Sequence, residues 1–250
     1  ATHNLLVFPQ TPKNHLVLEL FRSECEYASN LLILPLPGIR LKEVLTDLLY
    51  RFLGFALYLD EFHHQSTIDD EPEQARLRLE GANILSYNLA ADLAPCWVDD
   101  DEIREKRHFE EGFRCAQDCI RWREQLEKGA VALSMAWWAE GVHNAGLGRW
   151  GLACESFQSA LDAAKDDARE NGAPETVGPD SSFSVNIASG WLEFARWRNG
   201  DSTSYDRFLE AMGAFSKQID REDAGRDEAL IGVQQLQIAA QRLPGKEQQT

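Results

Sequence analysis

The chain has 250 residues, 44% of them hydrophobic, 10% aromatic and 26% charged, and its 41 acidic residues against 25 Lys and Arg leave a formal charge of −16. That composition excludes intrinsic disorder as the main state and suffices for one sizeable core or two small ones. An acidic surface repels phosphate backbones, and no run of Lys or Arg forms the basic stripe that nucleic acid requires, so the charge suits a basic or neutral partner instead. Five sparse cysteines, Cys25, Cys96, Cys115, Cys119 and Cys154, are odd in number and argue against a disulfide framework; reduced thiols in the cytoplasm are expected. The first thirty residues lack a basic segment followed by an apolar one. The most apolar runs, Leu31 to Leu36 and Leu53 to Leu59, are too short to span a bilayer, so a soluble protein without a membrane anchor is expected.

Residues 1–37 are open to either strand or helix, because Leu5 to Phe8 and Leu16 to Leu20 are too short for periodicity to decide. The cluster Pro35-Leu36-Pro37-Gly38 ends whatever precedes it. From about Leu41 a wide apolar stripe, including Val44, Leu48, Phe52 and Leu59, predicts a helix that fades at His63-His64. Further helices are predicted over about 73–93, 102–127, 130–145, 150–168, 185–199, 202–219 and 221–242. Pro95, Gly129, Gly148 and Gly200 punctuate them, and the long polar gap from Glu170 to Ser182 reads as a surface loop. Every confidently patterned element is a helix and most connections are short. The expected fold is therefore all-α, built of stacked antiparallel hairpins: one helical domain over 38–243, an N-terminal segment 1–37 of open structure, and a frayed tail 244–250.

One stretch carries a repeat pattern. From Trp137 the chain places Gly141, then Gly148 at the turn, then Ala153, Phe157, Ala160 and Leu161. Small residues sit where two antiparallel helices would touch, and Phe157 and Ala160 would fill the contact between successive hairpins. This resembles a tetratricopeptide repeat (TPR), best matched over about 130–165. It departs from that pattern at Glu140, Asn144 and Lys165. A looser second unit spans Gly190 to Phe215, with Trp191, the Asn199-Gly200-Asp201 turn, Tyr205 and Phe208. The resemblance implies an α-solenoid that binds a protein or peptide on its concave helices, without a cofactor.

Three histidines follow a glutamate by three residues: Glu61 and His64, Glu105 and His108, Glu140 and His143. On a helix that spacing puts both side chains on one face, as in carboxylate-bridged metal bundles. Glu26, Glu61, Glu105 and Glu140 are separated by 35, 44 and 35 residues. Measured from the helix breaks, however, the levels of paired glutamates differ by about 20 Å, where bundle ligands share one depth. A metal-dependent helical enzyme using Glu61, His64, Glu140 and His143 is thus the alternative reading, not the leading one. Cys115 and Cys119 lie one turn apart but lack a second ligand pair, and small buried thiols explain them more simply. No nucleophile elbow, phosphate loop or dinucleotide fingerprint is present in the sequence.

The tryptophans are the stronger binding candidates. Trp137 and Trp138 point about 100° apart, so if Trp137 packs inside its hairpin, Trp138 faces the concave side with Val142. Phe194 and Trp197 are spaced similarly on a later helix and flanked by Arg196 and Arg198, with Arg149 at the turn before. An aromatic groove bordered by arginines suits a peptide partner. An equal alternative puts all these aromatics in the core. The leading expectation is a non-enzymatic interaction module, of which an immunity-type inhibitor masking a basic toxin is the sharper version.

Overall fold

The computed structural model of the chain describes residues 72–97, 103–221, 225–243 and 245, all within one compact unit. The segment 1–37, the helix expected from Leu41 to His63, and most of the tail beyond 243 lie outside the described residues. Those described form seven helices and no strand: α1 (Pro72–Asp92), α2 (Lys106–Gln125), α3 (Ala130–Gly146), α4 (Trp150–Glu170), α5 (Phe183–Arg198), α6 (Ser204–Ile219) and α7 (Arg226–Arg242). The fold is all-α, as the periodicity predicts. The largest shift of boundary is at α7, which begins at Arg226 rather than about 221. At α2 the expected start near 102 moves to Lys106, because the Glu105 backbone N–H donates to His108 Nδ1 (3.1 Å) and so closes the first turn there.

Consecutive helices run antiparallel. Along α2 and α3, Phe109 meets Gly146, Gly112 meets His143, Gln117 meets Glu140, and Arg123 meets the Ala132 carbonyl, so one strand of contacts ascends as the other descends. The chain reverses tightly at Gly148 (φ 74°) and Gly200 (φ 109°), where a side chain would strain the left-handed backbone. In the first turn Arg149 N–H reaches back to the Asn144 carbonyl, and in the second Asp201 N–H reaches the Arg196 carbonyl, closing α3 and α5 in the same manner. The 171–182 loop is tied down from both sides: the Asn186 amide pairs with the Gly178 backbone, and Gln218 and Arg221 bond the Pro179 carbonyl.

The helices form two layers. Each packs on its neighbours in sequence, and α1, α3, α5 and α7 also pack on one another in order, whereas no comparable contact joins α2 to α4 or α4 to α6 among the described residues. The odd-numbered helices therefore form one continuous inner layer, and the even-numbered helices the outer one. Sequence patterning explains the division. On α4 the buried set Trp150, Ala153, Phe157, Ala160, Leu161, Ala164 and Ala168 is one stripe at three-and-four spacing, as befits an outer helix with a wet face. On α3 every residue from Trp138 to Ala145 is buried, and on α5 every residue from Ala188 to Ala195. Over those stretches each helix has neighbours on all sides, whereas the first half of α3 keeps Val131 and Met135 exposed.

Close approach depends on glycines that face rings. The Gly141 Cα sits against Phe157, Gly146 against Phe109, Gly112 against His143 and Gly232 against Phe215. A Cβ at Gly141 would stand 2.5 Å from the Phe157 ring, which is fully buried and has no room to swing away. Gly141→Ala is expected to destabilise the protein by about 1–3 kcal/mol despite the better helix propensity of alanine. Gly213→Ala, with nothing within 4 Å of the new methyl, is expected to stabilise by about 0.5–1 kcal/mol. Thermal melts of the two variants check this, and a Phe157→Leu change should recover part of the first loss.

Candidate functional site

The inner face carries a groove of about 350 Å³ lined by Tyr87 of α1, Trp97, Val131, Met135 and Trp138 of α3, Phe183 and Ile187 of α5, and Glu228, Ile231 and Gln235 of α7, with smaller residues between. Each helix contributes one face. Val131, Met135 and Trp138 stand at i, i+4 and i+7; Phe183 and Ile187 at i and i+4; Glu228, Ile231 and Gln235 at i, i+3 and i+7. The rim is apolar and open to solvent: Val131 is 39%, Met135 40% and Ile231 46% exposed. Its floor is rigid. Trp138 packs edge-on against Trp97 (6.2 Å between centroids) and Trp191 (6.1 Å), and Trp97 is pinned by its indole N–H to the Ala91 carbonyl at 2.7 Å. The Trp138 indole N–H has no hydrogen-bond partner among the described residues. Tyr87 is held from behind by Arg123, whose guanidinium lies 4.5 Å from its ring centre; burial pushes the Tyr87 hydroxyl up to about 12.

The residues singled out from the sequence divide between two places. Trp138 reaches the groove, though as a 9% exposed floor residue and not a protruding one. Trp137, expected inside its hairpin, is half-buried against Cys119 and Ile120 of α2. Val142 and Phe194 have no exposed surface at all, which corrects their expected place on a binding face: both lie in the continuously buried stretches of α3 and α5. Arg196, Trp197 and Arg198 lie at the C-terminal end of α5, about 14 Å along that helix from Ile187. Trp197 packs at a tilt against Tyr205 (4.7 Å) and stacks on Phe208 (6.0 Å), and Arg198 lies over Trp197 (4.3 Å) and donates to the Ala240 carbonyl. Arg196 pairs with Glu193 (2.7 Å) and bonds Gln158 (3.0 Å). Arg149 precedes α4 with its guanidinium 5.5 Å from the Phe113 ring centre. These arginines hold the stack's own aromatics and carboxylates, so they do not border the groove.

Of the Glu-x-x-His pairs, Glu61 and His64 lie outside the described residues. Glu105 and His108 form the helix start described above. Glu140 and His143 turn to different neighbours: Glu140 accepts from Ser156 (2.8 Å) and Gln117 (3.4 Å), whereas His143 donates from Nε2 to the Ala90 carbonyl (2.8 Å). Among the described residues no group of three or more His, Cys, Asp and Glu could hold a metal ion. Cys115 and Cys119 are buried and their thiols are pushed up, to about 12 and about 11, chiefly by desolvation; Cys119 contacts the Asn83 carbonyl oxygen at 3.4 Å. No described helix is long and apolar enough to cross a membrane.

Two consequences are measurable. Trp138→Ala empties a packed site between two other indoles and is expected to cost about 3–5 kcal/mol in urea denaturation, so it perturbs the fold as well as the groove. A loss below about 1 kcal/mol would contradict that packing. Burial holds His143 down at about 4, with the Ala90 hydrogen bond opposing the shift, so the ring is neutral in the fold while the unfolded chain takes up its proton from about 6.5 downward. Stability should therefore fall as pH drops from about 6.5 to 4, by on the order of 3 kcal/mol from this group. His143→Gln should be less stable at pH 7 but show a shallower decline, and parallel declines would refute a buried neutral imidazole. Compared with protein-family models, with curated proteins and with solved structures, the chain matches none.

Proposed function

We propose that the chain is a non-enzymatic helical-repeat interaction module, similar in plan to tetratricopeptide-repeat proteins, and that it binds a segment of a partner protein in the groove on its inner, odd-numbered layer. One observation carries this reading: exposed Val131, Met135 and Ile231 from two different helices converge on one aromatic-floored concavity, where isolated exposed side chains would otherwise be scattered. Stacked hairpins fix the groove in advance, so little conformational entropy is lost on binding. The register of Gly141 on Phe157, with Gly148 at the turn and Ala153 and Ala160 buried, supports the likeness to the repeat. The charge of −16 suits a basic partner, of which a toxin held by an immunity-type inhibitor is one case.

The test is reconstitution with a purified partner first captured from the source cells. A stoichiometric complex on size exclusion should be lost with Met135→Asp, which plants a charge in the groove at a position exposed enough to spare the fold. It should persist with Leu209→Asp, a similarly exposed apolar site on α6 of the outer layer. The reverse pattern, or loss in both variants, would place the interaction elsewhere.

A further inference from the structure

The chemistry of the groove narrows its occupant, given the docking reading on which this inference rests. Its wall is mainly apolar and aromatic: Ser134, Ser184 and Gln235 are its uncharged aliphatic polar side chains, and the Ser134 hydroxyl is already donated to the Ala160 carbonyl at 2.8 Å. An extended peptide laid along this wall would carry N–H and C=O groups out of water with little to pair them, whereas a helix satisfies its own backbone and offers side chains alone. A volume of about 350 Å³ is at the small end for binding sites, room for a few side chains and not for a chain's full width. Charge gives the last constraint. Among the described residues lining the groove, Glu228 alone is charged. It shares a face of α7 with Ile231, while Arg226, two residues earlier, is turned about 200° round the helix.

We propose that the groove takes an amphipathic helix of a partner protein, its aliphatic side chains at i and i+3 or i+4 entering between Met135 and Ile231 onto Trp138, and a Lys or Arg of that helix reaching the Glu228 carboxylate. Calorimetric titration of the full chain with two designed helices of about 18 residues tests this. Both carry leucine at helical spacing; one has lysine and the other glutamate at the flanking positions. The lysine helix should bind at one to one and weaken as salt is raised to about 0.5 M, and the glutamate helix should not bind. Glu228→Gln should weaken the lysine helix by about two- to fivefold. Glu210→Gln, an exposed carboxylate on α6, should leave it unchanged, and Met135→Asp should abolish it.

Equal binding of the two helices, or equal losses in Glu228→Gln and Glu210→Gln, would overturn the proposal, as would a lysine helix that binds Met135→Asp normally. Binding of neither designed helix would also overturn it. So would binding of a peptide of this chain's own residues 41–60 in place of the lysine helix. In each of these cases the docking reading stands or falls separately, on whether Met135→Asp breaks the reconstituted partner complex.

Discussion

The burial of α3 on four sides is the constraint from which the rest of this structure follows. It touches α1, α2, α4 and α5, and contact that close is possible only because its glycines admit rings from outside: Gly141 receives Phe157 and Gly146 receives Phe109, while its own His143 enters the notch at Gly112. Small-for-large exchange of this kind brings backbones together without voids and without bent rotamers. It also fixes register, since each ring has one glycine to enter. Two polar side chains of α3 are placed against partners inside the stack. Ser134 bonds the Ala160 carbonyl, and Glu140 is held by Ser156 and Gln117.

From α3 outward the aromatics form a continuous line. Trp97 touches Trp138, Trp138 touches Trp191, and Trp191 touches Phe157 and Phe194; Phe194 leads on to Trp197 and Phe208. Each edge or stacked contact adds about 0.5–1.5 kcal/mol beyond its buried area. The line connects the groove floor to the far end of α5, so the groove is backed by contiguous aromatic packing. Glu193, clamped at 2.7 Å by both Arg196 and Arg207, braces the opposite end.

The Glu-x-x-His pairs show how a true spacing can carry a different meaning. The spacing predicts a shared helix face for each pair, and for the two described pairs the structure shows what that face meets. At Glu105 and His108 the face belongs to a helix start, where the imidazole accepts the backbone N–H. At Glu140 and His143 the two side chains leave α3 toward different helices, Glu140 to Ser156 and Gln117 and His143 to Ala90, because the buried stretch from Trp138 to Ala145 leaves no shared cavity in which they could converge. The same physics governs Val142 and Phe194: helical offset from a neighbouring tryptophan says which way a side chain points, and nothing about whether another helix stands there.

By itself the sequence determined the class of the fold, the order and close bounds of the seven described helices, and their glycine turns, because apolar periodicity and left-handed caps are local properties. Of the groove only Trp138 was singled out in the sequence; the faces that carry Val131 and Met135, and Phe183 and Ile187, were not. Only the tertiary structure decided that these faces meet, and that the arginines beside the tryptophans are spent on the core. Which side of an apolar helix stays uncovered depends on how many neighbours pack against it. That number arises from the contacts of α1, α3, α5 and α7 along the inner layer, residues far apart in the chain, and no local spacing encodes it.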